Sequence, residues 1–174
     1  MLARVSVKNA VVVLSTIAAG VVAGCATTKA PIPEVARSGT GMISSVVVIP
    51  AGYDTIYLSG MTGTLPPPEG SPPGTPGPES GNTQTQAMRA LDKIKDALAE
   101  QHLTFADIVM MHAYLSPDPA MGHADFAGWT AAYTKAFGTA EQPNKPSRST
   151  ITVTLGSPQT RIEIETIAVR KPKA

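Results

Sequence analysis

The C-terminal part of the chain carries three charged residues whose types and spacing raise the question of an active site. Arg148 stands near the start of NKPSRSTITVTLGSPQTRIEIETIAVR, residues 144–170, and Glu163 and Glu165 stand in its second half. Arginine binds carboxylates through two parallel hydrogen bonds and keeps its charge. Glutamate can orient or deprotonate water as a general base. The alternatives are surface charges that favour solubility, or charges that hold subunits together.

Composition excludes several other kinds of chemistry. The 174 residues suffice for one domain and a short extra segment. The formal net charge of +1 argues against a nucleic-acid-binding protein, which usually shows a strong basic excess. The 3 His show no metal-ligand spacing, and the single Cys excludes an intrachain disulfide framework and a multi-cysteine metal cage. The sequence therefore offers no metal site.

The N-terminal segment predicts export. Residues 1–24 combine a basic start, an apolar run too short for a comfortable membrane span, and small residues before Cys25, as in a signal peptide. VAGC at 22–25 resembles the bacterial lipobox, which implies lipidation of Cys25; a plain signal peptide or an uncleaved anchor are the alternatives. By the same resemblance, Ala26 favours the periplasmic face of the outer membrane. Residues 25–41 would then be the lipidated Cys and a polar tether.

The remaining residues, 42–174, predict an α+β domain with the order β-β-α-β-α-β-β and two helices on one face of a mixed sheet. MISSVVVIP and DTIYLSG indicate a first hairpin, and residues 144–170 a last one. The density of proline in residues 65–82 predicts a surface loop. Apolar spacing predicts a helix from Thr83 and a second helix over about 120–137.

Alternation along the strands predicts which residues share a side. In residues 107–115, both the odd-numbered and the even-numbered positions are largely apolar. We therefore expect this strand to be buried on both faces, with His112 as a core histidine. The last hairpin has Arg148 and Thr150 on one side and aliphatic residues on the other, where we expect the helices. A symmetric partner subunit would cover the opposite face. The aromatic stripe of the second helix reads as core: Phe126, Trp129, Tyr133 and Phe137.

Several motifs in a fixed order resemble the RidA/YjgF family, also called the L-PSP or reactive-intermediate deaminase family. They are KPSRST…RIEIETIAVR, YLSGMTG, TQAMRALDKIKDALAEQHLTFADIVMMHAYLSP and FAGWTAAYTKAF, and together they span residues 43–171. The resemblance implies a chorismate-mutase-like fold and a homotrimer with clefts between subunits. It implies hydrolysis of 2-imino acids to 2-keto acids and ammonia, without a metal or organic cofactor; the exclusion of nucleic acid as a partner rests on the charge instead.

The resemblance also implies roles for particular residues. Arg148 matches the family's carboxylate-binding arginine, and Glu163 its catalytic glutamate, with Glu165 structural. Gly60 matches a position where the backbone approaches the ligand, and Ser59 beside it offers a hydroxyl or an amide N–H. Thr150 replaces the usual Cys and keeps a hydroxyl.

Two departures from the family pattern concern the pocket. TGMISSVV lacks the family's Gly-Pro-Tyr tyrosine, and KPSR replaces Phe-Pro-Ala-Arg. The alternatives to an enzyme are a non-catalytic binder of small carboxylates in the cell envelope and, disfavoured by the neutral charge, an endoribonuclease or translation inhibitor.

Overall fold

The computed structural model describes residues 31–173. The predicted signal peptide and Cys25 lie outside the described residues. No helix within residues 31–173 has the length and apolar character needed to cross a membrane.

The described chain is an α+β fold in which two helices cover one face of a four-stranded mixed sheet, as predicted. The sheet has the order β3-β6-β4-β5, and β1 and β2 form a separate two-stranded ribbon. The elements are β1 (Ala36–Ser38), β2 (Val46–Val48), β3 (Asp54–Thr62), α1 (Thr83–Glu100), a 3-10 turn (Phe105–Asp107), β4 (Ile108–Leu115), α2 (Phe126–Ala136), β5 (Ser147–Thr152) and β6 (Ile162–Arg170).

Both predicted hairpins are wrong. β2 pairs with β1 rather than with β3, so part of the predicted tether 25–41 is a strand of the fold. β5 and β6 are also not paired, because β4 lies between them. β6 pairs antiparallel with both β3 and β4, and β5 pairs parallel with β4. The alternating aliphatic residues of β6 are best buried in the middle of the sheet, and this long-range gain overrides the short turn between β5 and β6.

Local signals place the two helices. Asn82 caps α1 by accepting a hydrogen bond from the backbone N–H of Thr85 at 2.9 Å. Asp125 caps α2 in the same way through the N–H of Gly128, so this helix begins later than about residue 120. Gly138, at φ 75°, follows its end in the left-handed region. The stripe of α1 that meets the sheet is buried, with Ala87, Leu91, Ile94 and Leu98 at most 4% exposed.

The two faces of the sheet differ in burial. On the helix-covered face, the apolar residues of β4 and β6 are fully buried: Met111, Ala113, Leu115, Ile162, Ile164 and Ala168. The other face, here called the open face, carries Tyr57, which is 76% exposed, and the half-buried side chains of alternate residues in β4 and β6. In a single chain, β4 is therefore not buried on both faces. The side chain of His112 is 37% exposed, so this residue is not a core histidine.

β5 turns its polar side toward the helices, contrary to prediction. Its parallel register sets Arg148 beside Met111 and Ile151 beside Tyr114 on β4. Because Met111 faces the helices, Arg148 does too, and Ile151 is left 50% exposed on the open face. In β6, by contrast, the aliphatic side does face the helices.

The proline-rich loop contains no helix or strand between residues 65 and 82, as predicted. The Arg89 guanidinium fixes both of its ends, donating to the carbonyls of Gly63 at 2.7 Å and Ser80 at 2.8 Å. The loop and residues 156–159 line a cavity of about 730 Å³, whose walls include neither Arg148 nor Glu163.

Candidate functional site

Arg148 is a cation held by aromatic rings instead of acids. Its guanidinium carbon lies 4.1 Å from the ring centre of Tyr133 and 5.2 Å from that of Trp129. Within residues 31–173, no carboxylate lies within salt-bridge distance of it, and its buried Nη1 has no hydrogen-bond partner. Burial lowers the pKa of Arg148 from its ordinary value, an effect that the nearby Tyr133 opposes. A half-buried cation that is not neutralised by a neighbouring acid is suited to binding an anion.

Thr150 lies on the same face as Arg148, two residues along β5. The indole Nε1 of Trp129 donates a hydrogen bond to Thr150 Oγ1 at 3.3 Å. The indole thereby contacts both β5 residues that the sequence predicted to bind substrate. The hydroxyl proton of Thr150 is left free to serve as a donor.

Glu163 and Gly60 meet on the open face. β3 has an irregular register between Leu58 and Met61, and this irregularity contains Ser59 and Gly60. A Cβ atom at position 60 would overlap the Glu163 carboxylate, so the backbone of Gly60 lies directly against that side chain. Ser59 is exposed beside it. The structure thus brings together three of the predicted site residues: Ser59, Gly60 and Glu163.

Glu165 has partners of its own. The Tyr114 hydroxyl donates to Glu165 Oε2 at 2.9 Å, and this hydrogen bond raises the pKa of Tyr114. His112 Nδ1 lies 3.8 Å from the same oxygen. Glu163 has no ion-pair partner within the part of the chain that the structure describes. The arrangement therefore fits a structural role for Glu165 and leaves the Glu163 carboxylate available.

Arg148 and Glu163 lie on opposite faces of the sheet. Glu163 pairs with Tyr114 of β4, and Arg148 pairs with Met111, three residues away on the same strand. Residues an odd number of positions apart point to opposite sides of a strand. One chain therefore holds two half-sites, one with Arg148 and Thr150 and the other with Ser59, Gly60 and Glu163.

Sequence reasoning missed the residues around Arg148. Trp129 and Tyr133 read as core because of their helical spacing, and they are indeed buried. Their contact with Arg148 follows from the parallel pairing of β5 with β4, for which the sequence has no short-range signal. Tyr114 and His112 were missed for a similar reason, since only strand pairing places them beside Glu165.

Comparison with known proteins assigns the fold to a family. The family described as Endoribonuclease L-PSP matches residues 44–170 of the chain, which include both half-sites. The chain belongs to the endoribonuclease L-PSP family. This is the RidA/YjgF family that the sequence motifs resemble.

The chain is also similar to individual proteins. A RutC family protein of Haemophilus influenzae is 35% identical over 86 residues, 49% of this chain. The match spans 62% of that relative's length, less than two thirds. E. coli TdcF with bound serine is 26% identical over 71% of this chain and 85% of its own, with a TM-score of 0.52. Yeast Mmf1 is 25% identical, with 81% and 98% coverage and a TM-score of 0.52.

Proposed function

We propose that the protein is an oligomeric hydrolase of 2-imino acids whose active site joins Arg148 of one copy to Glu163 of a second copy. The observation that carries this proposal is the half-buried Arg148 guanidinium, whose Nη1 has no hydrogen-bond partner and which has no carboxylate within salt-bridge distance among residues 31–173. A homotrimer with clefts between subunits would bring the two half-sites together. Exposed Tyr57 and Ile151 support burial of the open face against another copy.

The proposed reaction uses the two half-sites in different ways. Arg148 holds the substrate carboxylate and orients the neighbouring C=N bond. Glu163 accepts a proton from a water molecule as its oxygen bonds to the imine carbon. Glu163 returns this proton to the nitrogen, which gives an intermediate with a hydroxyl and an amino group on the same carbon. Glu163 then moves the hydroxyl proton to the amino group as the C–N bond breaks and the C=O bond forms, so that a 2-keto acid and ammonia leave. Gly60 leaves room for the Glu163 carboxylate, and Ser59 and Thr150 supply hydroxyl donors.

Small carboxylate ligands are the class that the comparisons favour. TdcF was crystallised with serine, a small molecule with a carboxylate next to a nitrogen-bearing carbon. A non-catalytic carboxylate-binding protein is the second candidate, because the predicted export would separate this chain from cytoplasmic enzymes that produce imines. The unpaired Glu163 favours catalysis, since binding a carboxylate requires only the arginine half-site.

We also propose that Cys25 carries a lipid that anchors the protein to the cell envelope. The support is the signal-like segment 1–24 and the position of the only Cys in the chain. Mass spectrometry of the mature N-terminus would show a lipidated Cys25. An unmodified N-terminus at any other residue would contradict the anchor.

A coupled assay tests the enzymatic proposal. An amino-acid oxidase generates 2-imino acids, and the purified protein should accelerate their decay. Arg148→Ala should lower kcat/KM by about 100-fold or more, because a bidentate charged contact is lost. Arg170→Ala is the matched control, since Arg170 forms only an exposed ion pair with Asp54.

Size-exclusion chromatography distinguishes a catalytic role of Arg148 from a role in holding the subunits together. The Arg148→Ala protein should elute at the native size. Dissociation of this variant would mean that Arg148 holds subunits together, and unchanged imine decay with the native protein would reject the hydrolase.

A further inference from the structure

Arg148 owes its position to two aromatic side chains of α2. Trp129 and Tyr133 are one helical turn apart, with ring centres separated by 5.6 Å and an interplanar angle of 66°. Tyr133 in turn stacks on Phe137 at 4.8 Å, and Phe137 contacts Phe105 at 5.2 Å. The rings that touch Arg148 are therefore backed by further aromatic packing and are buried.

We propose that Trp129 and Tyr133 are positioning residues that hold the Arg148 guanidinium for a ligand carboxylate. This inference rests on the proposed function. A guanidinium carries its N–H donors in its own plane, while its flat faces interact with aromatic rings. An acidic partner would occupy those donors and neutralise the charge. Aromatic rings can hold the cation without using its donors, which fits the unpartnered Nη1.

Trp129 has a second contact that fixes its orientation. Its Nε1 donates to Thr150 Oγ1 at 3.3 Å, so the indole is tied to the strand that carries Arg148. Tyr133 differs, because its buried hydroxyl has no hydrogen-bond partner among residues 31–173. The face of the Tyr133 ring, and not its hydroxyl, is thus the part that contacts the guanidinium. Removing the hydroxyl should spare the function, whereas removing the ring should impair it.

Calorimetric titration with pyruvate, a 2-keto acid, tests this role without requiring turnover. Tyr133→Met and Trp129→Met remove the aromatic faces but fill most of the space. Each should raise the Kd for pyruvate about tenfold, and Tyr133→Phe should stay within about twofold of the native protein. The neutral analogue pyruvamide should lose little affinity, because it lacks the charge that Arg148 recognises. Leu91→Ala in α1 controls for a general loss of core packing.

The imine assay adds a kinetic readout. In Tyr133→Met, KM should rise by about tenfold while kcat changes by less than about threefold, since binding rather than chemistry is affected. Native pyruvate affinity in a folded Tyr133→Met or Trp129→Met protein would overturn the proposal, as would absence of pyruvate binding by the native chain. Failure of both variants to fold would assign the rings to the core alone. A native protein that binds pyruvate but hydrolyses no imine would reject the hydrolase and leave the positioning role standing.

Discussion

The two faces of the sheet present their functional groups in opposite environments. On the helix-covered face, Arg148 sits among aromatic rings, and the nearby Tyr133 is 0% exposed. On the open face, Glu163 adjoins a group in which Glu165 is 43% exposed and binds Tyr114 and His112. Arg148 is thus contacted by aromatic rings and has no acidic partner among residues 31–173, whereas Glu165 has a tyrosine and a histidine beside it.

Under the proposed function, a single chain is not a complete site. A half-buried positive charge that has no acidic partner among residues 31–173 is suited to binding an anion. Glu163 of the same chain lies on the other side of the sheet and is not placed to reach Arg148. In the proposed assembly, a second copy would bring its own Glu163 to Arg148 while a substrate carboxylate binds the guanidinium. The placement of Arg148 and Glu163 on opposite faces therefore supports the proposed site shared between copies.

Co-expression of two inactive variants gives the sharpest test of this comparison. Arg148→Ala and Glu163→Gln should each lose about 100-fold or more in kcat/KM. Carrying different affinity tags, they can be purified as mixed assemblies. A mixed ring of three has one junction with both intact residues, so about one third of native activity should return. If both residues acted within one chain, mixing would restore nothing.

A charge on the open face should separate the copies. Tyr57→Glu costs little in an isolated chain, because Tyr57 is 76% exposed. Buried against another copy, the unpaired carboxylate would be strongly unfavourable. We expect this variant to elute at the size of a monomer and to lose imine hydrolysis. Met88→Glu on α1, also at an exposed apolar residue, should keep the native size; dissociation of both variants would contradict an interface specific to the open face.

Gly60→Ala should damage the acidic half-site alone. The added methyl group overlaps the Glu163 side chain, whose flexible end can move away at modest cost to stability. We expect kcat to fall about 10- to 100-fold, because the general base is displaced, with pyruvate affinity nearly unchanged. Gly156→Ala is the matched control, since a methyl group there meets nothing within 4 Å. If the Gly60→Ala and Gly156→Ala proteins were equally active, Glu163 would not be the general base.

Local sequence signals predicted the parts of this molecule that depend on neighbours in the chain. The helix from Thr83, the proline-rich loop and the α+β class follow from apolar spacing and proline chemistry. The motifs around Arg148 and Glu163 indicated the family, which the match over residues 44–170 confirms. The roles given to these two residues stay predictions.

Strand pairing could not be predicted from local sequence signals, because it depends on residues far apart in the sequence. Alternation in β5 showed that Arg148 and Thr150 share a side, but not which side the helices cover. Pairing with β4 decides this, and β4 lies more than thirty residues earlier in the chain. The same pairing separates Arg148 from Glu163, two residues that the motif had placed in one site.

The burial of Tyr133 on the helix-covered face can be tested by measuring the free energy of unfolding at alkaline pH. Burial raises the pKa of Tyr133 from 10.0 to about 12. Below pH 10 this tyrosine is neutral in both states; above it, the unfolded chain ionises first, so the free energy of unfolding falls between about pH 10 and about pH 12. At pH 11 the loss due to Tyr133 is about 1 kcal/mol. Tyr133→Phe should lack this part of the decline in urea unfolding at pH 9 and pH 11. If the free energy of unfolding fell equally in the native and Tyr133→Phe proteins, water would reach the Tyr133 hydroxyl. The two faces of the sheet would then differ less than their burial indicates.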